Sequence, residues 1–246
     1  MIFDLIAGSS GATWTPADLF LSGEQGCWLD SSDLTTLFQN STGTTPVTAA
    51  GQPVGRWNNK IAGQGTLFNV VQATTAARPL LEASGSFLRI NFDGADDVLS
   101  SSGTTLTGQA VTLSVGFRKA LPTSNNLQPV KFSGAGALQQ LQILGADNSI
   151  SVTTFSQTVT LPAIGNGPMQ IATLFGQVNV TPVTGRLNGT PVVGSMGTTG
   201  SVAGSLSMPG NTPSSGQFAV SQVVLINRVL TSTEITKLEA FIGSKQ

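Results

Sequence analysis

The chain has 246 residues, of which only 9% are charged, against an average of about 25% for soluble domains. Its formal net charge is -1, and it contains no histidine. The lack of a basic cluster excludes nucleic acid and anionic membranes as partners, because both require concentrated lysine and arginine. The missing histidine excludes Ser-His-Asp triads and histidine metal ligands. All-β domains of this length commonly form one domain, which is the expectation here.

Residues 1–25 are predicted to form an arm and a short helix that precede the main domain, residues 26–246. The helix takes Thr15 as its N-cap and Pro16 as its first residue, and it ends before Gly23. The arm has no basic segment before its apolar run, so it is a poor secretory signal, and no stretch reaches transmembrane length. Its apolar side chains are candidates for docking onto a partner protein: Ile2, Phe3, Leu5 and Ile6.

After a second predicted helical turn at residues 31–39 and a loop at residues 40–55, apolar residues alternate with polar ones. These alternating segments recur about every ten residues, which is typical of a β-sandwich or barrel. They are centred on Leu88, Ile90 and Phe92, on Val111, Leu113, Val115 and Phe117, on Leu141 and Ile143, on Ile150 and Val152, and on Met169, Ile171 and Phe175.

The next part of the chain is predicted to contain a tight hairpin and a long exposed loop. Asn188-Gly189 suits the two positive φ angles of a type I′ turn, and Pro191 places the following strand at a sheet edge or bulge. Residues 194–216 are rich in Gly, Ser, Thr and Pro, so we expect an exposed loop with at most one short strand around Leu206.

The C-terminal segment is predicted to be a long strand followed directly by a helix. The strand changes phase at Ser221-Gln222, which indicates a β-bulge. Thr231 and Glu234 have the spacing of a capping box, and Leu230 can pack on Ile235 as a hydrophobic staple. The apolar face of the helix is formed by Ile235, Leu238 and Ile242.

Several short segments, taken in chain order, carry a family resemblance: Gly26-Cys27-Trp28-Leu29-Asp30, Gly51-Gln52-Pro53-Val54-Gly55-Arg56-Trp57, Ala77-Arg78-Pro79, Leu88 to Asp97, Leu187-Asn188-Gly189, and Arg228-Val229-Leu230 with Glu234-Ile235. The series resembles the concanavalin A-like lectin/glucanase superfamily, in the laminin-G-like form carried by many tailed-phage virion proteins and bacterial surface proteins. It covers roughly residues 26–242. The resemblance implies an all-β fold, a jelly-roll sandwich of two antiparallel sheets, with short N-terminal helical turns and one C-terminal helix.

The acidic residues argue against a glycosidase. Such an enzyme needs two carboxylates on either side of the scissile bond, and the resemblance implies that they would share one strand. Between Val98 and Thr233 the only acidic residue is Asp147. Nine of the twelve acids precede Val98 and are predicted to lie in loops and short turns. We therefore expect no enzymatic activity, no catalytic residue and no cofactor.

The best local acidic cluster is formed by Asp93, Asp96 and Asp97, whose oxygens are a weak candidate for Ca²⁺. The favoured interpretation is a turn that starts at Asp93-Gly94, in which the carboxylates accept hydrogen bonds from backbone N–H groups. On that interpretation no metal is expected.

The candidate carbohydrate-binding residues are Trp57, Asn58, Asn59 and Lys60, because an aromatic ring beside amides and an ammonium group suits a polyhydroxyl ligand. A buried, structural Trp57 is the favoured alternative, since most large aromatic side chains pack in cores.

Trp28 and Cys27 are predicted to be core residues. Solvated surface positions are predicted for Arg118, Lys119, Lys131, Arg186 and Arg228.

The leading hypothesis is a non-enzymatic structural protein of a tailed-phage virion, located in a tail fibre, baseplate or peripheral appendage and assembled in the host cytoplasm. Its expected partners are other virion proteins and a host-surface glycan, and analogy with phage appendages implies a homo-oligomer such as a trimer. The alternatives are a carbohydrate-binding module of a bacterial surface protein, a capsid decoration protein and, last, a polysaccharide-degrading enzyme.

Overall fold

A computed structural model describes residues 13–120, 126–134, 137–145, 147–197, 202–210 and 216–246. Within them the chain forms two antiparallel sheets, three short 3-10 helices (Pro16–Phe20, Leu34–Thr36 and Thr75–Ala77) and one α-helix, α1 (Ser232–Gly243). The strands are β1 (Gly26–Asp30), β2 (Leu37–Phe38), β3 (Arg56–Trp57), β4 (Val70–Val71), β5 (Leu80–Ser84), β6 (Phe87–Phe92), β7 (Leu99–Ser100), β8 (Thr104–Thr105), β9 (Ala110–Lys119), β10 (Leu127–Gly134), β11 (Ala137–Ile143), β12 (Ile150–Thr154), β13 (Gln157–Leu161), β14 (Met169–Gln177), β15 (Thr181–Leu187), β16 (Thr190–Met196), β17 (Ala203–Met208) and β18 (Phe218–Ile226).

The two sheets pack face to face, which confirms the predicted jelly-roll sandwich. The first sheet has the strand order β16-β15-β14-β9-β18-β6-β5, with β1 also paired to β18. The second has the order β13-β12-β11-β10-β17-β7-β4-β3-β2, with β8 paired to β17. The main hydrophobic core lies between the sheets, because alternate residues of each strand point inward.

A smaller core lies between the outer face of the first sheet and α1. Val224 and Ile226 of β18 contribute to it from the sheet, and Ile235 and Leu238 from the helix. Every residue of β18 is therefore buried, since the strand is covered on both faces. Leu19 of the first 3-10 helix is buried in the same cluster, so this N-terminal segment packs against the sandwich.

The ends of the predicted elements are largely as expected. Thr231 and Glu234 form the predicted capping box of α1, and Leu230 lies with Ile235 in the same cluster. Asn188 and Gly189 have φ angles of 48° and 87° in the hairpin between β15 and β16, and β16 is an edge strand, as predicted. The pairing register of β18 shifts between Val220 and Gln222, which confirms the bulge.

Two sequence-based expectations were wrong in part. In the stretch predicted as an exposed loop, β16 continues to Met196, and the one short strand expected around Leu206 is β17. This strand is not exposed, because it is an inner strand of the second sheet whose Leu206 and Met208 are fully buried. The predicted turn at residues 31–39 is helical only at Leu34–Thr36 and then becomes β2.

The proposed docking residues Ile2, Phe3, Leu5 and Ile6 lie outside the described residues.

Candidate functional site

Trp57 lies in the main core with none of its surface exposed. It belongs to β3, an inner strand of the second sheet, and packs among the apolar residues between the sheets. A ring in this position offers no face to a sugar. The structure therefore confirms the favoured interpretation, a structural Trp57, and leaves the ring unavailable as a carbohydrate contact.

The side chains of Asn58 and Asn59, which follow Trp57, form hydrogen bonds within the fold. Asn59 accepts hydrogen bonds from the backbone N–H groups of Trp28 and Ile61 and donates to the carbonyls of Gly26 and Leu67. The Oδ1 of Asn58 accepts a hydrogen bond from the Nε of Arg56. Asn59 thus holds a loop against β1, and neither amide lines the cleft that the structure describes.

Lys60 completes a polar network beneath this loop. Its Nζ lies 2.9 Å from both Asp30 and Asp33 and 4.1 Å from the centre of the Trp28 ring. Burial alone would raise the pKa of Asp30, but hydrogen bonds from Ser32, Lys60 and Gln222 outweigh it and hold that pKa below its ordinary value. Trp28 is buried as predicted, and the network explains why Asp30 is tolerated on a buried strand.

Most of the basic residues that were predicted to be solvated are instead engaged, which corrects that expectation. Arg118 pairs with Glu82, Arg186 with Glu239, and Arg228 with Glu24 and Glu234. Lys119 is buried and bonded to Asn148, and burial lowers its pKa. Apart from Glu234, which is six residues from Arg228, the paired acids come from distant parts of the chain, so sequence proximity could not identify them.

Asp93, Asp96 and Asp97 lie close together, with carboxylate oxygens within 4.8 Å of one another. They form the predicted turn: Asp93 accepts a hydrogen bond from the N–H of Ala95, and Asp97 accepts one from the N–H of Asp93. Gly94 has a φ of 85°, and a Cβ there would meet the backbone of Gly216 at 2.8 Å. The calcium hypothesis stays a prediction, since a turn accounts for these contacts.

This turn forms one wall of a cleft of about 310 Å³. Asp93 and Asp97 line it together with Thr75, which begins the 3-10 helix that precedes β5, and Arg78, which follows that helix. Asn91 of β6 also lines the cleft, and its buried Oδ1 has no hydrogen-bond donor among the described residues. The remaining lining is aliphatic: Pro53, Ala76 and Leu80.

The electrostatics of the cleft are dominated by Asp97, which is only 6% exposed. Burial is the main cause that raises the pKa of Asp97 to about 6; the neighbouring charges of Asp93 and Asp96 act in the same direction, and the hydrogen bond from the Asp93 N–H opposes them. Arg78 is the cation of the cleft. Its Nε and Nη2 donate to the carbonyls of Gln72 and Ala73, which leaves Nη1 without a bond to the described chain.

From the sequence, Arg78 and Asn91 were noted only because they lie in segments that carry the family resemblance. Neither was predicted to belong to a functional site. A signal for Asn91 was present, because asparagine is unfavourable in the middle of a strand and here stands between the buried Ile90 and Phe92. No comparable signal existed for Thr75 or Arg78. They reach the cleft through the pairing of β5 with β6, which is a tertiary contact.

A second polar surface covers the outer face of the second sheet. Directly opposed residues of antiparallel strands share a face, and the register aligns one row of mostly hydroxyl and amide side chains from β7 to β13: Ser100, Ser207, Lys131, Gln140, Thr153 and Thr158. A shorter row beside it contains Gln142, Ser151 and Thr160. We call these two rows the polar face. Neither row includes a carboxylate.

Comparison with solved structures identifies proteins with the same sandwich. A sialidase from Trypanosoma rangeli, solved with 2,3-difluoro-KDN, matches with a TM-score of 0.58 and 14% identity over 92% of this chain and 33% of that chain. The binding domain of Paraclostridial Mosquitocidal Protein 1 matches with a TM-score of 0.56 and 11% identity over 79% of this chain and 51% of that one. The binding domain of Botulinum neurotoxin DC, in complex with SialylT, matches with a TM-score of 0.50 and 9% identity over 72% of this chain and 48% of that chain.

At these identities the likeness shows a shared fold. The chain spans about a third to a half of the length of these matched structures. No family model matches the sequence, and no curated protein matches it. Among the described residues, the one α-helix is shorter than a membrane crossing requires.

Proposed function

We propose that this chain is a non-enzymatic, lectin-like binding domain that recognises a glycan on a cell surface. The observation that carries the proposal is the fold match: binding domains of two toxins share this sandwich over 72% and 79% of the chain, and one of them was solved with a sialylated ligand. The polar face and the cleft add hydroxyl, amide and charged groups, which are the groups that hydrogen-bond sugar hydroxyls.

The carboxylates support a binding role rather than hydrolysis. In the part of the chain that the structure describes, each side-chain carboxylate except Asp96 accepts a hydrogen bond from the chain itself. Only Asp93 and Asp97 line the cleft, and they belong to one turn. Their oxygens lie within 4.8 Å, whereas carboxylates that act on a glycosidic bond flank it at about 5 to 9.5 Å.

We further propose that the domain belongs to a structural protein of a tailed-phage virion, in a tail fibre, baseplate or peripheral appendage, and that it contributes to host attachment. Its support is the family resemblance of the sequence together with the charge-poor composition. The apolar arm residues Ile2, Phe3, Leu5 and Ile6 would dock onto a neighbouring virion protein or onto another subunit of a homo-oligomer. A surface protein of a bacterium and a capsid decoration protein are the competing placements.

A glycan array tests the binding role. The full chain, displayed on a multivalent support, is expected to bind a restricted set of bacterial surface glycans. Absence of signal at concentrations that detect millimolar affinities would refute it. Antibody labelling of intact particles in the electron microscope tests the placement: label on the tail supports the proposed placement, and label on the capsid or on uninfected bacteria contradicts it.

A further inference from the structure

We propose that the glycan site is the cleft between the Asp93–Asp97 turn and Arg78, and that it holds a neutral hexose residue. The inference rests on the proposed function and adds a location and a ligand class. The cleft is about 310 Å³ in volume, at the small end of the range for ligand pockets and suited to one sugar unit rather than a long chain.

The polar groups of the cleft offer complementary donors and acceptors. Asp93 and Asp97 each accept one backbone N–H in the turn, and their carboxyl groups also contact each other. A carboxylate has about four lone-pair sites, so acceptor capacity remains for a sugar hydroxyl. Arg78 retains Nη1 as a donor. Neighbouring hydroxyls of a hexose can donate to the carboxylates and accept from the guanidinium group at the same time.

Asn91 provides the second, independent indication of a ligand. Its buried Oδ1 has no donor within the described chain, and an unsatisfied buried acceptor is costly in a folded protein. The side chain lines the cleft while its Oδ1 is shielded, so a small rotation of the amide toward the cleft would bring Oδ1 to a bound hydroxyl group, which would supply the missing donor. A purely structural position on the strand would be served better by a threonine or valine.

The charge balance decides the class of sugar. With Asp97 ionised, two carboxylates face one guanidinium group, so the cleft repels sialic and uronic acids and accepts an uncharged residue. The aliphatic lining is suited to the C–H face of a hexose ring. Leu80, at the rim, is 45% exposed, which makes apolar surface available to such a ring.

The test compares cleft variants with matched controls on glycans that differ only in the terminal residue. Asp93→Asn and Asn91→Leu change the cleft, while Asp147→Asn changes an acid that caps a similar turn through the N–H of Ser149, between β11 and β12. Thr158→Ala and Thr160→Ala change the polar face. Affinity for neutral and sialylated forms of each array hit is measured by calorimetry, and the melting temperature shows that each variant is folded.

Asp93→Asn and Asn91→Leu are each expected to weaken binding of the neutral glycan by about tenfold or more. Asp93→Asn removes the charge from one hydrogen bond and places an NH2 group beside the sugar, and Asn91→Leu removes an acceptor. The control Asp147→Asn should bind as the unaltered chain does. If the folded cleft variants bind unchanged and the polar-face variants lose binding, the cleft is wrong and the lectin-like role stands. If the cleft variants lose binding of a sialylated glycan only, the neutral class is wrong. If the unaltered chain binds no glycan, both proposals fail.

Discussion

The buried carboxyl of Asp97 should lower the stability of the fold at neutral pH, and Asp97→Asn should recover that loss. Burial and the charges of Asp93 and Asp96 raise the pKa of Asp97 to about 6 from its ordinary value of 3.8. An acid with a raised pKa in the folded state is easier to ionise in the unfolded chain. The free energy of unfolding is therefore unaffected below about pH 4 and falls as the pH rises from about 4 to about 6. Above about pH 6 the full loss of stability is present.

The size of the effect follows from the two pKa values. Their difference of about 2 corresponds to about 3 kcal/mol at 1.36 kcal/mol per pH unit. Water enters the cleft beside the carboxyl group and screens its charge, so the expected cost is about 1 to 2 kcal/mol. Asparagine keeps an oxygen that can accept the hydrogen bond from the Asp93 N–H, so the substitution removes the charge and preserves the turn.

Urea unfolding at pH 7.5 and pH 4 measures the effect. Asp97→Asn should increase the free energy of unfolding at pH 7.5 by about 1 to 2 kcal/mol and leave it nearly unchanged at pH 4. Asp147→Asn is the matched control, since hydrogen bonds from Ser149 lower the pKa of that exposed carboxyl, and no stabilisation is expected. An equal gain at both pH values, or a loss at pH 7.5, would refute the assignment of the cost to the ionised carboxylate.

The sandwich could be predicted from sequence where the signal is local. Alternating apolar residues identify β9 and β14, and the spacing of Thr231 and Glu234 identifies the start of α1. Composition misled about the exposure of β17, because its Gly and Ser residues resemble a loop while Leu206 and Met208 fill the core.

The candidate site was less predictable, because its residues meet only through the tertiary fold. Arg78 and Asn91 are brought to the Asp93–Asp97 turn by the pairing of β5 with β6. Trp57 was also ambiguous from sequence alone. An indole beside amides and an ammonium group suits a sugar, but the favoured structural role is the one observed, because β3 is an inner strand and the ring fills space between the sheets.

Three further predictions concern the fold. Lys60→Met should lower the free energy of unfolding by about 3 kcal/mol in urea, because Asp30, 2% exposed, loses its counter-ion; a change below about 1 kcal/mol would contradict this. Gly26→Ala should prevent folding or cost more than about 3 kcal/mol, since its Cβ would lie 1.9 Å from the Leu225 carbonyl oxygen; a melting temperature within a few degrees of the unaltered chain would contradict it. Burial raises the pKa of Cys27 to about 12, so its thiol should react with a disulfide reagent only after unfolding, and rapid native labelling at pH 8 would contradict the burial.

The cost of Asp97 bears directly on the proposed site. If the turn served the fold alone, asparagine would satisfy the Asp93 N–H without placing a charge in a buried position beside two other carboxylates. A residue that lowers stability where a neutral one would suffice is expected when its charge is used in binding. Asp97→Asn should therefore increase stability at pH 7.5 and weaken glycan affinity in the same protein. A variant that gains stability and keeps full affinity would leave the charge of Asp97 without a role in the cleft.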